Sequence, residues 1–261
     1  MTLLESRGVT VRFGGVTAVS AVDLALQEGQ VLSLIGPNGA GKTTLFNVFT
    51  GIYRPAAGEV LLRGESIKGL KPFQITRRGL ARTFQNIRLF RNMSALENCL
   101  VARHGHGRAG LGGALLPLKA ARREEQESRA AALEALDFVG LAAQAGAKAG
   151  SLAYGQQRRL EIARALATGA GVLLLDEPAA GMNPQETKEL MALIERIRRR
   201  GLTILLIEHD MRLVMEISDR VVVLDHGKKI AEGTPAEVRR DAAVIQAYLG
   251  RQGENAAAHQ R

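Results

Sequence analysis

The feature that most constrains this chain is a glycine-rich loop between an apolar strand and a helix. Residues 36–44 read GPNGAGKTT and fit the phosphate-binding pattern G-x-x-x-x-G-K-[ST]. The apolar run 31–35 before it predicts a buried strand, and residues 42–50 predict a helix that ends at Gly51. Such a unit belongs to a parallel sheet that binds ligands at the carboxyl ends of its strands. The sequence therefore predicts an α/β protein with a phosphate site.

Each residue type in the loop suits that chemistry. Gly39 and Gly41 allow the backbone to turn without a Cβ clash, so that successive N–H groups and the helix N-terminus can point at a phosphate. Lys42 would place its charge on the β- and γ-phosphates, and the Thr43 hydroxyl would bind Mg²⁺. The predicted binding residues are Gly36, Pro37, Asn38, Gly39, Ala40, Gly41, Lys42, Thr43 and Thr44.

An acidic pair follows a second apolar run. Residues 172–175 predict a buried strand that delivers Asp176 and Glu177 at its carboxyl end. Asp176 would hold Mg²⁺ through its water shell, and Glu177 would orient or polarise an attacking water. A helix cap or a surface turn is the alternative, but the phosphate loop upstream favours the catalytic interpretation.

The remaining pattern divides the chain into regions. Strands are predicted at residues 9–13, 21–26 and 59–62, which makes the beginning of the chain rich in strands. Strand signals disappear between residues 88 and 149, where residues 118–139 predict one long helix. Helices at 156–167 and 185–200 then alternate with strands at 172–175, 203–207 and 221–224. This alternation predicts a parallel sheet covered on both faces.

Composition limits the partners. The net charge of +9 makes nucleic acid or an anionic surface a candidate, but only 4% of the residues are aromatic and none is Trp, which disfavours a base-stacking platform. The single cysteine, Cys99, excludes an internal disulfide and a cysteine metal cage, and it is interpreted as a small buried side chain in a reducing compartment. No apolar run reaches the ~18 residues of a membrane span, so no direct span is predicted.

Several motifs together resemble those of ATP-binding-cassette (ABC) proteins. Residues 152–164, LAYGQQRRLEIAR, resemble the ABC signature and precede the Asp176 strand, as they do in that family. Phe13, Gln85, the loop 180–183 and His209 match further family motifs in family order. The resemblance implies a P-loop NTPase fold with a RecA-like core, a small antiparallel β subdomain and an inserted α-helical subdomain at about 88–160. It also implies a domain of residues 1–250, and the polar composition of residues 251–261 predicts a disordered tail.

The resemblance assigns roles to these residues. Phe13 would stack on adenine, Gln85 would sense Mg²⁺ and water, and His209 would contact the γ-phosphate, with Glu177 as the catalytic base. Two cassettes would dimerise head to tail, so that each signature closes over the other's nucleotide. The signature residues that act in trans would be Leu152, Ala153, Tyr154, Gly155 and Gln156. Without the other motifs, Phe13 would be interpreted as a core residue and His209 as a strand-end histidine satisfied by backbone.

Within the family, the sequences of these motifs are most similar to those of ATP-binding subunits of branched-chain amino-acid importers. LAYGQQRRLEIA, DEPAAGMNP, IEHDM and the ending VIQAYLG carry this likeness, although subunits for urea, other amides or lipopolysaccharide export share parts of them. The implied function is an ATPase that uses ATP and Mg²⁺ to energise import from the cytoplasmic face of the inner membrane. Its partners would be a second, non-identical ATP-binding subunit, membrane-spanning permease subunits and, indirectly, a solute-binding protein. Ala153 in place of the usual Ser and Asn183 in place of the usual Asp are consistent with such an unequal pair.

Other readings of the sequence are weaker. A soluble cassette protein acting on nucleic acid or the ribosome usually has two fused cassettes or long coiled coils, and a P-loop kinase or GTPase does not explain the signature. The G-x-G-x-x-G at 105–110, with His104 and His106, follows no strand and is interpreted as a flexible loop. In the resembled family, the basic run around Gln85 faces the membrane subunit, and a solvated basic face is the alternative. The signature-helix arginines are expected where triphosphate binds. The run comprises Arg77, Arg78, Arg82, Arg88 and Arg91, and the helix arginines are Arg158, Arg159 and Arg164.

Overall fold

A computed structural model describes residues 1–104 and 118–248, without the side chains of 104 and 118–121. The chain divides into two compact units. The first unit comprises Met1–Pro72, Leu174–Glu177 and Ile194–Arg261, and the second comprises Phe73–Leu173 and Pro178–Leu193.

The first unit begins with an antiparallel sheet. Strand β1 (Thr2–Phe13) pairs with β2 (Val16–Gln27) on one side and with β4 (Ala57–Leu62) on the other, and β4 also pairs with β5 (Glu65–Ser66). The burial pattern of β1 and β2 is close to an alternation, as a sheet with one face on the core requires.

A second sheet in this unit carries the predicted phosphate loop. Strand β3 (Val31–Ile35) lies between β8 (Thr203–Ile207) and β9 (Arg220–Asp225), parallel to both, and β10 (Lys228–Gly233) is antiparallel to β9. The end of β7 (Val172–Asp176) follows β8 in the strand order. Every residue of β3 and β8 is buried, as expected for central parallel strands covered on both faces.

Helices complete the first unit. Helix α1 (Lys42–Phe49) follows the loop, and α7 (Met211–Ile217), α8 (Pro235–Arg240) and α9 (242–248) belong to its C-terminal part. Residues of β3, α7, β9, α8 and α9 share one apolar cluster, which contains Ile35, Val214, Val221, Val223, Val238 and Val244.

The second unit is mainly helical. It contains nearly all of α2 (Pro72–Arg77), strand β6 (Leu80–Arg82) and three helices that pack on one another. These helices are α3 (Ala95–His104), α4 (Leu118–Phe138) and α5 (Tyr154–Ala167), and the first part of α6 (Pro184–Arg199) belongs to the same unit. The Val172 N–H at the start of β7 donates to Gly79 O at 3.0 Å, just before β6.

The predicted α/β class is confirmed, with its antiparallel region and helical region. The strands predicted at 31–35 and 203–207 have those bounds, and the four predicted helices agree with α1, α4, α5 and α6 to within two residues at each end. Strands β1 and β2 are longer than predicted, and the shorter elements β5, β6, β10, α2, α3, α7, α8 and α9 were not predicted.

Some predictions fall outside the described residues or remain predictions. The G-x-G-x-x-G segment at 105–110, with His106, and the tail 251–261 lie outside the residues that the structure describes. The domain limits of 1–250 and 88–160 remain predictions. Among the described residues, no helix combines the length and apolar character needed to cross a membrane.

Candidate nucleotide site

The phosphate loop has a backbone that requires glycine. Gly39 and Gly41 have φ values of +79° and +100°, so the predicted reason for glycine at both positions is confirmed. A Cβ on Gly41 would lie 2.5 Å from Ala18 O, and a Cβ on Gly36 would lie 2.1 Å from Leu224 O. The requirement at Gly36 is therefore a close approach to a neighbouring strand, which the motif alone does not reveal.

Lys42 lies within the loop. Its Nζ donates to Gly36 O at 2.7 Å and to Pro37 O at 3.0 Å, and the residue is buried. Thr43 is exposed in the first turn of α1, where Gly41 is the N-cap and provides no side-chain cap. The first N–H groups of a helix have no partner within the helix, so this end of α1 can donate to an anion.

Glu177 and His209 come together at the ends of two strands. Asp176 is the buried last residue of β7, and the Glu177 N–H donates to Ile207 O at 2.9 Å, at the end of β8. His209 Nδ1 lies 3.7 Å from Glu177 Oε2, and the two side chains are 66% and 19% exposed, respectively. The His209 ring is therefore open to solvent beside the Glu177 carboxylate.

Phe13 is an exposed aromatic residue at the end of β1. It is 46% exposed, so the alternative interpretation as a core residue is wrong. Its ring contacts the Tyr53 ring edge to face, with centroids 5.1 Å apart and an interplanar angle of 72°. The sequence analysis did not single out Tyr53 as a neighbour of Phe13. The available signal was an aromatic residue shortly after helix α1, which follows the phosphate loop.

The second unit holds the signature residues. Helix α5 begins at Tyr154, so Gly155 lies in its first turn, and Gln156 Oε1 accepts the Ala153 N–H at 3.1 Å. The Tyr154 hydroxyl donates to Ala180 O at 2.8 Å. A Cβ on Gly155 would lie 2.7 Å from Glu186 Oε1, so glycine leaves room for that carboxylate.

Asn183 caps a helix. Its Oδ1 accepts the N–H groups of Gln185 and Glu186, both at 2.9 Å, and Glu186 Oε2 accepts the Asn183 N–H at 2.9 Å. This reciprocal arrangement is a capping box at the start of α6. Asn183 therefore has a structural role that does not depend on a negative charge.

Two arginines of α5 lie elsewhere than expected. Arg158 is buried and donates to Phe84 O at 2.8 Å and to Gln85 O, while Arg164 donates to Arg88 O. The expectation that these two guanidinium groups serve a triphosphate is wrong, because both bind main-chain carbonyls of the segment that carries Gln85. Gln85 itself is exposed.

The donor types suit Mg²⁺ better than a transition metal. The predicted ligands are the Thr43 hydroxyl, the Asp176 carboxylate and the Gln85 amide, all of them oxygen donors. No group of three or more His, Cys, Asp and Glu side chains able to hold a metal occurs in the described part of the chain. Mg²⁺ is usually bound by one or two carboxylates together with phosphate oxygens and water, and Asp176 is the one carboxylate among the three predicted ligands. Cys99 is free and buried, which confirms its interpretation as a small core side chain.

Comparison with known proteins identifies the family. The ABC transporter family matches residues 19–180, and the family described as branched-chain amino acid ATP-binding cassette transporter matches residues 228–254. The chain is 53% identical to the high-affinity branched-chain amino acid transport ATP-binding protein BraF of Pseudomonas aeruginosa, and 51% identical to LivG of Escherichia coli K12. Both matches cover 95% of this chain and 98% of the relative.

A solved structure agrees with this. The ADP conformation of MJ1267, an ATP-binding cassette of an ABC transporter, superposes with a TM-score of 0.84 at 31% identity, covering 96% of this chain and 99% of that one. The family assignment agrees with three features of the site described above. They are the glycine-dependent phosphate loop, the acidic pair at the end of β7 and the signature at the start of α5. The chain therefore belongs to the ABC transporter family, as an ATP-binding cassette of its branched-chain amino acid branch.

Proposed function

We propose that this cassette hydrolyses ATP to drive the import of branched-chain amino acids. The observation that carries the proposal is the contact of Glu177 with His209, at 3.7 Å, where β7 and β8 end. Strand β3, which is parallel to β8 and adjacent to it, ends in the phosphate loop. Parallel neighbouring strands present their carboxyl ends at one edge of a sheet, so the loop and the Glu177–His209 pair serve the same edge.

The residues divide the reaction among them. The loop N–H groups and the N-terminus of α1 would hold the phosphates. The Lys42 ammonium, which donates to Gly36 O and Pro37 O in the structure, would donate to phosphate oxygens when nucleotide binds. The Glu177 carboxylate would accept a proton from the attacking water, and His209 would hold the γ-phosphate and Glu177 in register. Mg²⁺, held by Thr43 and Asp176 and sensed by Gln85, would neutralise charge on the β- and γ-phosphates.

The working assembly contains further subunits. A second, non-identical cassette would place its own signature over this nucleotide, while Gly155 of this chain would donate N–H groups to the partner's γ-phosphate. Both cassettes would dock on membrane-spanning permease subunits at the cytoplasmic face of the inner membrane, fed by a solute-binding protein. The names of the relatives BraF and LivG support the branched-chain substrate.

Substitution of the base tests the chemistry. Glu177→Gln keeps the side-chain volume but cannot accept the proton, so we expect ATP to bind with unchanged affinity and turnover to fall by about 100-fold or more. Glu28→Gln, at an exposed turn before β3, is the matched control and should retain turnover. Undiminished hydrolysis by Glu177→Gln would rule out Glu177 as the base.

Transport identifies the solute. A strain lacking the chain should lose uptake of labelled Leu, Ile and Val and recover it with the wild-type gene but not with the Glu177→Gln gene. Uptake of labelled urea should remain unchanged throughout. Loss of urea uptake with normal uptake of the three amino acids would contradict the proposed substrate.

A further inference from the structure

The main chain on both sides of Gln85 is held by side chains of the signature helix α5. The guanidinium of Arg158 donates to Phe84 O at 2.8 Å and to Gln85 O. Glu161 Oε1 accepts the Phe84 N–H and the Arg88 N–H, each at 3.3 Å. One turn of α5 therefore binds main-chain groups of three residues, Phe84, Gln85 and Arg88, in a segment that has no regular secondary structure.

These two side chains are buried and paired. Arg158 and Glu161 are each 2% exposed, and Arg158 Nη1 lies 3.4 Å from Glu161 Oε2. The desolvation cost of burying the Arg158 and Glu161 charges can exceed the attraction between them. The hydrogen bonds that both side chains make to the main chain around Gln85 therefore give the pair a role beyond stability. Arg164, one turn further along α5, is a third side chain that binds this segment, and it donates to Arg88 O.

The same arginine contacts the signature itself. Arg158 Nη2 donates to the Tyr154 hydroxyl at 3.2 Å, and the guanidinium carbon lies 5.6 Å from the centroid of the Tyr154 ring. The Tyr154 hydroxyl in turn donates to Ala180 O, in the loop after the catalytic acid pair. One buried side chain thus connects the first turn of the signature helix with the peptide group of Gln85.

We propose that Arg158 and Glu161 are positioning residues that fix the Gln85 segment to the signature helix. Loss of either side chain would then displace Gln85 from the metal and water that it is proposed to sense. The inference rests on the proposed function, which gives Gln85 its role.

The geometry specifies what each side chain must provide. The planar fork of Arg donates to two carbonyls at once, whereas Lys offers a single ammonium on a flexible stem. Arg158→Lys should therefore keep one contact and give an intermediate effect, and Arg158→Gln should lose both the charge and the fork. Glu161→Gln keeps an acceptor oxygen and the volume, but loses the ionic partner of Arg158.

A double-mutant cycle with Gln85 tests the proposal on the full-length chain. We expect Arg158→Gln to lower kcat for ATP hydrolysis by about 10- to 100-fold, as misplacement of a catalytic group does, with KM for ATP within twofold of wild type. In a Gln85→Ala background, the same substitution should change kcat by less than about twofold, because the group through which it acts is gone. Arg123→Gln removes an exposed Arg–Glu pair on α4 of the same unit and should leave kcat unchanged in both backgrounds.

The outcomes separate positioning from folding. If Arg158 only stabilises the fold, Arg158→Gln lowers kcat by the same factor with and without Gln85, and the proposal is overturned. If Arg158→Gln does not fold, Glu161→Gln and Arg158→Lys carry the same cycle, with thermal unfolding recorded for each variant. Undiminished hydrolysis by Glu177→Gln contradicts the proposed function instead, so the two failures are distinguishable.

Discussion

Tyr53 packs against Phe13, the residue proposed to stack on adenine. Its ring meets Phe13 edge to face at 5.1 Å, yet Phe13 remains 46% exposed, so ring surface is left for a purine. An edge-to-face pair fixes the plane of each ring and is worth about 0.5–1.5 kcal/mol beyond area burial. Tyr53 therefore restricts the orientation of the Phe13 ring, as the proposed stacking on adenine would require.

Tyr53→Leu should weaken ATP binding by about two- to tenfold, the equivalent of that pair energy. Tyr53→Phe keeps the ring and should bind within twofold of wild type. Inorganic triphosphate has no base to stack, so its affinity, measured by calorimetry, should be the same for all three proteins. An equal loss of triphosphate affinity in Tyr53→Leu would show general damage to the site rather than a role in stacking.

The residues proposed to bind the ligand follow from local patterns in the sequence, whereas the residues proposed to position them do not. Lys42, Thr43, Asp176 and Glu177 stand at fixed spacings from a glycine or from the end of an apolar strand, so a local pattern reveals them. Arg158 meets Phe84 across 74 residues of sequence, and no local pattern encodes that contact. The position of Arg158 beside a triphosphate was expected from the resemblance to the ABC signature alone, which is why it was predicted wrongly.

At the scale of elements, burial decided which predictions succeeded. Strands β3 and β8 are apolar except for Ser33 and Thr203 and are buried throughout, so the sequence defines both ends. Strand β1 begins with mixed residues and continues through several register irregularities, which hide its first half from a search for alternation. Helices α2, α7 and α8 have six or seven residues each, too short to show a helical period.

The strand–loop–helix element predicts a difference between two of its own glycines. A Cβ on Gly36 would lie 2.1 Å from Leu224 O, whereas a Cβ on Gly39 would have no atom within 4 Å. Gly36→Ala should therefore lower the free energy of unfolding by about 1–3 kcal/mol through overpacking, in addition to backbone strain. Gly39→Ala would introduce only the backbone strain of a φ of +79° and should lower the free energy of unfolding by about 1–2 kcal/mol. Urea unfolding without nucleotide measures both, and an equal loss would contradict the steric argument.

At the scale of the whole molecule, the one thiol can report on opening of the second unit. Cys99 lies on α3 with no exposed surface, and burial raises the pKa of its thiol to about 12 from the ordinary 9.0. Only the thiolate reacts rapidly with alkylating agents, so the folded protein is doubly protected. Because folding raises the pKa of this acid, its contribution to stability is complete below pH 9 and is lost as the pH rises toward 12.

At pH 8, the native chain should therefore react with iodoacetamide at least about 100-fold more slowly than the urea-unfolded chain. Mass spectrometry of the intact protein measures the rate, and Cys99→Ser confirms that no other group is labelled. Rapid labelling under native conditions would mean that α3 separates readily from α4 and α5.

Glu177 sets stability and chemistry against each other at a single backbone position. Its φ of +45° lies in the left-handed region, which costs a residue with a Cβ about 1–2 kcal/mol and glycine almost nothing. Glu177→Gly should therefore raise the free energy of unfolding while it removes the carboxylate proposed to act as the base. Under the proposed mechanism, thermostability and turnover cannot be improved together at this position.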